Sequence, residues 1–426
     1  MIGLLGKTLK HSLSKVIHES LSEHPYHLIE TDDLDRFFKE TTFKGLNVTI
    51  PYKEVVIDYM DHVSDIVKKT NALNTIVNVK GLLYGYNTDF LAIDDIIKRY
   101  FPKDLSQSVL VIGNGATSRS VLEALKKNQY DNIFVYARNP KNHEYSIKDI
   151  HQAQDATIII NTTPVGMYPS NSESLPLELA QFPKLKLIFD VVYNPYFTDL
   201  IIQAKRLKIP YIDGLMMLVR QALHSSSKFF NTTYGEHDVM QVYKRTLKHL
   251  LNITLIGLPF SGKSHYARHL GHRLNKPIIE IDKMIETTED ASIETIFKTK
   301  GEAYFRNLEE RISIESAHSF NKIISTGGGI IMNPKVMHAL KKNSLILYLD
   351  LDDSLMQNLR YHSRPHVKNA KDLLQLKEKR HDLYEAYSDA TIYKDTLDTK
   401  TILEHIEVKI DEIISHQWTK YQSFRD

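Results

Sequence analysis

Along the chain, short apolar runs of strand length alternate with stretches whose apolar residues recur at helical spacing. This alternation predicts an α/β architecture with parallel sheets, because each parallel strand-to-strand crossover takes a helix of its own. Two apolar runs end in Gly-rich turns that lead into helical patterns. They are Val109-Leu-Val-Ile-Gly-Asn-Gly-Ala-Thr-Ser-Arg-Ser120 and Ile253-Thr-Leu-Ile-Gly-Leu-Pro-Phe-Ser-Gly-Lys-Ser264. The loops are chemically unlike, so each is expected to open its own nucleotide-binding domain. Between them, Val239, Met240, Val242, Tyr243, Leu247 and Leu250 mark one face of a helix. The expected boundary falls just after that helix, near Leu251, with almost no linker and no Gly/Ser tether.

Length and composition fit this picture. At 426 residues the chain exceeds a single ordinary core, and two or three domains are expected. Its 42% hydrophobic and 25% charged residues, with a net charge of +2, give no reason to expect nucleic acid or a membrane surface as partner. Cysteine is absent, which excludes disulfides, thiolate nucleophiles and Cys-ligated metals. None of the 20 histidines falls in a His-Glu-x-x-His pattern. No apolar run approaches the roughly 20 residues of a membrane span, and Met1-Ile-Gly-Leu-Leu-Gly6 lacks the layout of a signal peptide. A cytoplasmic enzyme acting on small molecules is the expectation, as a monomer or homodimer.

At the first turn, the segment Gly113, Asn114, Gly115, Ala116, Thr117 and Ser118 passes from strand to helix, where backbone N–H groups can hold a pyrophosphate. Ser118 takes the third position of the dinucleotide fingerprint and is small enough for close helix–strand packing. The next strand ends in Arg138-Asn139, where an NAD-binding domain would place an acidic residue; Arg suits the 2′-phosphate of NADP. A solvated loop charge is the competing reading of Arg138. At the second turn, Gly257-Leu-Pro-Phe-Ser-Gly262-Lys263-Ser264 satisfies the full P-loop pattern. Its amides, with Gly257, Ser261 and Gly262, would cradle the ATP phosphates; Lys263 would reach the β- and γ-phosphates, and the Ser264 hydroxyl would ligate Mg²⁺.

Several polar clusters in the first half are hard to explain by packing: His11-Ser12-Leu13-Ser14, Asn47-Val-Thr49-Ile-Pro51-Tyr-Lys53, Asn74-Thr75, Gly85-Tyr-Asn87-Thr88-Asp89, Asn161-Thr-Thr-Pro-Val-Gly166-Met167 and Asp213-Gly-Leu-Met-Met-Leu-Val-Arg-Gln221. Singly, each could be turn chemistry. In this order they resemble the shikimate dehydrogenase family over residues 1–248. The resemblance implies a substrate-binding domain of residues 1–103 and 224–250, with an NADP-binding Rossmann-like domain, 104–223, between them. It implies that Ser12 and Ser14 bind the substrate carboxylate and that Thr49, Asn74 and Gln221 surround the ring hydroxyls. Lys53 and Asp89 would be the catalytic pair, and Gly214 would join the cofactor contacts. Hydride delivery to a ketone builds negative charge on oxygen, which a nearby ammonium can stabilise or protonate. Lys15, Asn114 and Thr117 depart from the family's usual residues without removing a chemical group.

After the P-loop come Glu280-Ile-Asp282, Gly301-Glu-Ala-Tyr-Phe305-Arg306-Asn-Leu-Glu309, Gly327-Gly328-Gly329, Arg364-Pro365, and Arg380 with Tyr384. These resemble shikimate kinase over roughly residues 250–395, and a P-loop domain of residues 251–426 is expected. The resemblance implies that Arg306 and Arg380 bind the substrate carboxylate, as suits a guanidinium fork. Asp282 would be the base that accepts from the reacting hydroxyl. Gly328 and Gly329 would let backbone approach the acceptor ring, and Arg364, in the lid, would neutralise the moving phosphoryl charge. Arg306 could instead pair with Glu302 or Glu309 on its own helix. Glu280 stands where the family has Asp, and the lid reads Ser363-Arg-Pro-His-Val367.

Together the two resemblances imply a bifunctional enzyme that reduces 3-dehydroshikimate with NADPH and phosphorylates the resulting hydroxyl with Mg-ATP. Quinate or broad-specificity chemistry is one rival. A non-catalytic sensor reusing both folds is another, though Lys53, Asp89, Lys263 and Asp282 are all present.

Overall fold

The structure, a computed structural model, describes all residues except 10–11, 105, 142, 169–172, 358, 360, 362–366, 368, 396–397, 423 and 425–426. Two compact units result: Met1–Leu247 together with Trp418–Asp426, and Lys248–Gln417.

The first unit holds two sheets. One comprises β1 (Ile2–Gly6), β2 (Tyr26–Glu30), β3 (Gly45–Val48), β4 (His62–Val63), β5 (Thr75–Val79) and β6 (Leu82–Tyr86), in the order β2-β1-β3-β5-β6-β4. The α/β architecture has the expected predominance of parallel pairing, and this sheet is mixed. β5 runs antiparallel to both β3 and β6, while the pairs β1–β2, β1–β3 and β4–β6 are parallel. The β5–β6 pair has a local cause: Lys80 (φ 54°) and Gly81 (φ 94°) form a two-residue turn with positive φ at both positions, which suits a tight hairpin. Leu5, Leu46, Val48, Leu73 and Ile76 centre a core between this sheet and its helices.

The other sheet comprises β7 (Val109–Ile112), β8 (Ile133–Ala137), β9 (Tyr145–Ser146), β10 (Ile158–Asn161), β11 (Leu187–Asp190) and β12 (Tyr211–Ile212), ordered β12-β11-β10-β7-β8-β9 with every pair parallel. The chain enters at β7, runs outward through β8 and β9, then returns to β10 on the other flank. That reversal leaves a crevice at the carboxyl ends of β7 and β10, the usual place for a nucleotide in an open sheet. Helix Ala116–Lys127 follows β7, and its Arg119 donates to the carbonyls of Thr70 (2.5 Å) and Asn71 (3.2 Å), tying the two sheets' surroundings together.

Two expected boundaries differ from the structure. No break falls between residues 223 and 224, because helix Gly214–Phe230 runs through that point, capped by the Asp213 side chain on Met216 N–H. Nor does 251–426 form one unit, since residues 418–426 belong with the first. There Trp418 and Tyr421 bury their rings, Trp418 5.6 Å from Tyr243 and Tyr421 5.2 Å from Tyr100 between centroids.

The second unit contains β13 (Asn252–Ile256), β14 (Ile278–Glu280), β15 (Ile323–Ser325), β16 (Ser344–Leu351) and β17 (Ala390–Lys394), in the order β14-β15-β13-β16-β17, all parallel. β13 and β16 are buried along their whole lengths and are predominantly apolar, as central parallel strands are, with Asn252, Thr254, Ser344 and Asp350 as buried polar exceptions. The P-loop follows β13 directly. Among the described residues no helix is long and apolar enough to cross a membrane.

Candidate active sites

One end of strands β3, β5 and β6 in the mixed sheet gathers several of the polar clusters of the first half. Asn87 caps helix Thr88–Tyr100 by accepting from Phe90 N–H, which puts Asp89 in the first turn, where the helix dipole favours a carboxylate. Lys53 follows the cis Ile50–Pro51 bond, and its Nζ donates to Asp89 Oδ2 at 2.6 Å. The other oxygen, Oδ1, accepts from Asn74 Nδ2 at 2.9 Å, and the same nitrogen lies 3.5 Å from Gln221 Oε1. Asn74 is fixed in turn, its Oδ1 accepting from Thr88 N at 2.7 Å and Thr88 Oγ1 at 3.0 Å. Thus Lys53, Asp89, Asn74 and Gln221, spread over 168 positions of the sequence, form one contiguous polar surface. Ser12 and Ser14 sit together at the start of helix Ser14–Leu21, Ser12 Oγ accepting from Ser14 N–H at 3.2 Å. Thr49 extends from β3 with its N–H on the carbonyl of Leu5. His11 lies outside the described residues.

The first Gly-rich turn separates two roles for glycine. Gly113 has φ 107°, and a Cβ there would meet Thr162 Oγ1 at 2.6 Å. Thr162 Oγ1 itself donates to the carbonyl of Ile112 at 2.7 Å, so the loops after β7 and β10 are locked together. Gly115 has ordinary φ (−83°), and a Cβ there would find open space. Asn114 reaches sideways, donating to the Asn139 carbonyl at 2.9 Å and to Glu144 at 2.8 Å, which fixes the turn to the loop that carries Arg138. Arg138 and Asn139 are exposed, whereas Ala116 and Thr117 are half-buried in the first helical turn. Ser118 is buried and its Oγ has no hydrogen-bond partner among the described residues. Gly214 starts its helix so close to the Val191 carbonyl that a Cβ would stand 2.3 Å from that oxygen. An open helix N-terminus, an orphaned hydroxyl and an exposed guanidinium at the next strand end fit a phosphorylated dinucleotide.

In the second unit, Gly257 (φ 148°) and Gly262 (φ 92°) give the P-loop its shape, and even Phe260 takes a left-handed φ of 67°. Lys263 Nζ donates to the carbonyls of Gly257 (2.9 Å) and Leu258 (2.8 Å). Ser261 is fully buried, its Oγ without a partner among the described residues, which fits a loop shaped to receive phosphate oxygens. Ser264 Oγ lies 3.2 Å from Ser325 Oγ at the end of β15. Glu280 faces the same place. Both of its oxygens accept from Arg268, at 2.9 and 3.0 Å, and that guanidinium, with lesser help from Ser264, holds the carboxyl below its ordinary range. Ser264, Ser325 and Glu280 are hard oxygen donors of the kind Mg²⁺ and its waters take.

The three glycines are where the remaining groups meet. A Cβ on Gly327 would stand 2.8 Å from Glu309 Oε1 and 2.9 Å from Asp282 Oδ1; on Gly328, 2.8 Å from Pro259; on Gly329, 2.9 Å from Arg306 Nη1. Arg380 and the Tyr384 hydroxyl both donate to the Gly328 carbonyl, at 2.9 and 2.6 Å. Arg306 makes the intrahelical pairs open to it, with Glu309 at 2.7 Å and Glu302 at 3.3 Å. Arg364, with its neighbours 362–366, lies outside the described residues. The sequence places Glu309 in the block resembling shikimate kinase and as a possible partner of Arg306, but assigns it no role of its own. Burial lifts its carboxyl above the ordinary range, with Arg306 pulling the other way. The available signal was a carboxylate on the apolar face that carries Phe305, Leu308 and Ile312. Tyr384 was noted without a role; its ring stacks on Tyr348 at 4.8 Å.

These geometries define a dinucleotide-dependent oxidoreductase joined to a P-loop phosphotransferase. Residues 4–76 match the family described as shikimate dehydrogenase substrate binding domain, and residues 259–411 match shikimate kinase. A shikimate dehydrogenase (NADP(+)) of Clostridium perfringens is 33% identical over 264 residues, covering 57% of this chain and 97% of the relative. One from Caldanaerobacter subterraneus is 30% identical, covering 55% and 94%. Among solved structures, a chorismate mutase/shikimate 5-dehydrogenase fusion from Clostridium acetobutylicum superposes with a TM-score of 0.53 at 29% identity, covering 57% of this chain and 95% of that one. Shikimate 5-dehydrogenase of Thermus thermophilus, in complex with NADP(H) and shikimate, gives 0.51 at 28% identity, covering 57% and 98%. The chain belongs to the shikimate dehydrogenase family and carries a shikimate kinase domain in its second half.

Proposed function

We propose that the protein reduces 3-dehydroshikimate to shikimate with NADPH and then phosphorylates the C3 hydroxyl of shikimate with Mg-ATP. The same ring oxygen is handled twice. NADPH supplies the hydride, and Mg-ATP supplies the phosphoryl group and its charge neutralisation. In the first site, Lys53 holds a proton at the ketone oxygen, where negative charge develops, and Asp89 orients that ammonium through their 2.6 Å contact. Asn74, Gln221 and Thr49 fix the ring hydroxyls, and Ser12 and Ser14 take the carboxylate. Arg138 and Asn139 take the 2′-phosphate end of the dinucleotide, whose pyrophosphate lies over Gly113–Ser118, and Gly214 backs the reacting end.

In the second site, Arg306 and Arg380 grip the carboxylate and the backbone of Gly328 and Gly329 closes on the ring. Asp282 accepts from the reacting hydroxyl, Lys263 binds the phosphates, and Ser264 reaches Mg²⁺. Arg364 would neutralise charge on the moving phosphoryl group. The protein is proposed to act as a cytoplasmic monomer or homodimer with small-molecule partners and neither nucleic acid nor membrane. The observation that carries this reading is the convergence of Lys53, Asp89, Asn74 and Gln221 in one chain with a complete P-loop facing Asp282 and the triple glycine. A coupled assay with 3-dehydroshikimate, NADPH and Mg-ATP tests it. Lys53→Ala should abolish NADPH oxidation, and Lys263→Ala should abolish ADP formation alone. Wild-type protein that accumulates shikimate in the presence of ATP would sink the kinase half.

A further inference from the structure

The carboxylate of Asp213 is fully buried and unusually crowded. Its Oδ1 accepts from Met216 N–H at 3.1 Å, which caps helix Gly214–Phe230. Its Oδ2 is surrounded by the hydroxyls of Tyr243 (2.8 Å), Tyr196 (3.2 Å) and Tyr421 (2.7 Å), and by Lys420 Nζ at 2.7 Å. The Tyr421 hydroxyl also accepts from the Asp213 N–H at 3.3 Å, so backbone and side chain of the capping residue are both held. Burial alone would raise the Asp213 carboxyl, yet Lys420 and the ring of hydroxyls hold it below its ordinary value. Lys420 in turn lies over Tyr211 at 4.1 Å from the ring centroid. Two of the four groups on Oδ2 thus come from residues 418–426, which the chain reaches only after the whole P-loop unit.

What Asp213 caps is the helix carrying Gln221. That residue is eight positions on, about 12 Å along the axis. The start of the helix has no slack, because Gly214 is pressed against the Val191 carbonyl. A change in how Asp213 is held therefore alters the angle at which the helix presents Gln221 to Asn74, where the two side chains lie 3.5 Å apart.

We propose that Lys420 and Tyr421 are positioning residues of the reductase: by fixing Asp213 they set the Gly214–Phe230 helix and, through it, the Gln221 amide in the acceptor pocket. This rests on the assignment of Gln221 to the substrate.

The test uses full-length protein. Lys420→Met strands a buried carboxylate without its cation and should raise the KM for 3-dehydroshikimate at least fivefold, with kcat kept within twofold. Phosphorylation of shikimate by the same preparation, an internal check on folding, should be unchanged. Lys420→Arg should restore the KM to within twofold. The double variant Asp213→Asn/Lys420→Met should be less impaired than Lys420→Met, since an amide needs no cation. Tyr421→Phe, which removes one hydroxyl, gives a milder rise in the same constant. The proposal is overturned if Lys420→Met keeps the wild-type KM, or if kcat and KM change alike and Arg gives no rescue. Loss of phosphorylation in parallel overturns it too, by showing a general defect. Wild-type protein that oxidises no NADPH refutes instead the reductase reading on which it rests.

Discussion

Gly113→Ala is the perturbation for which the structure gives the clearest arithmetic. At φ 107° an alanine is strained, costing about 1–3 kcal/mol at such sparsely populated angles. The new methyl would also meet Thr162 Oγ1 at 2.6 Å, a distance real Cβ contacts essentially never show. Thr162 can retreat only by giving up its 2.7 Å bond to the Ile112 carbonyl, worth roughly 1 kcal/mol. Together the loss is about 2–4 kcal/mol, which for a unit of this size lowers the unfolding midpoint by roughly 4–16 °C. Gly115→Ala is the control. Its φ of −83° suits alanine and nothing lies within 4 Å of the new methyl, so the entropy gained is offset by the poorer N-cap and the midpoint should move by no more than the equivalent of about 1 kcal/mol. The same methyl would stand where a dinucleotide's phosphates approach the backbone, so the KM for NADPH should rise about tenfold. Differential scanning calorimetry and NADPH-dependent rates at fixed 3-dehydroshikimate measure both effects, with ADP formation as reference. Equal midpoints for Gly113→Ala and wild type would refute the steric argument. An unchanged NADPH KM in Gly115→Ala would refute the placement of the cofactor.

Asn87→Ala should lower the midpoint of the first unit by the equivalent of about 1–2 kcal/mol and reduce reductase kcat, because Asn87 both caps the helix bearing Asp89 and donates to Thr70 and Ser120; a stable, fully active variant would contradict this. Arg268→Met should free the Glu280 carboxylate and lower the Mg²⁺ concentration at half-maximal phosphorylation severalfold, read from magnesium titrations; no change would place Glu280 away from the metal. Lys276, buried against the carbonyls of Lys248 and Leu251 and the side chain of Asn321, has its pKa pulled down by burial to about 7. The folded state then binds fewer protons than the unfolded chain between pH 7 and the ordinary lysine value of 10.5, so stability should rise with pH across that window. Its slope should approach about 1.4 kcal/mol per pH unit and shrink in Lys276→Met, as denaturant melts at pH 7 to 9 will report.

Local pattern carried much of this fold. Both Gly-rich turns stand where strand passes to helix, and the buried strands β13 and β16 are predominantly apolar in sequence. Two features escaped because their cause is not periodic. The β5–β6 hairpin hangs on Lys80 and Gly81 alone, a pair too short to shift a count of apolar positions. The bond from Tyr421 to Asp213 spans 208 positions, and a buried tyrosine hydroxyl leaves no trace of its partner in the residues around it. In the second site, Arg306 and Asp282 were legible as residue types at known spacing, but Glu309 faces Gly327 only through the packing of its helix.

The route of the chain has a consequence for its synthesis. Because the first unit is left at Leu247 and re-entered at Trp418, the P-loop unit is an insertion rather than an appendage. A nascent chain emerging at roughly 5–20 residues per second would present Asp213 many seconds before Lys420 and Tyr421 exist. During that interval the buried carboxylate lacks its cation, and the reductase half must wait, incompletely closed, while the kinase half is made. A ribosome that stops after Gln417 would therefore release a complete P-loop unit attached to a first unit that lacks Lys420 and Tyr421.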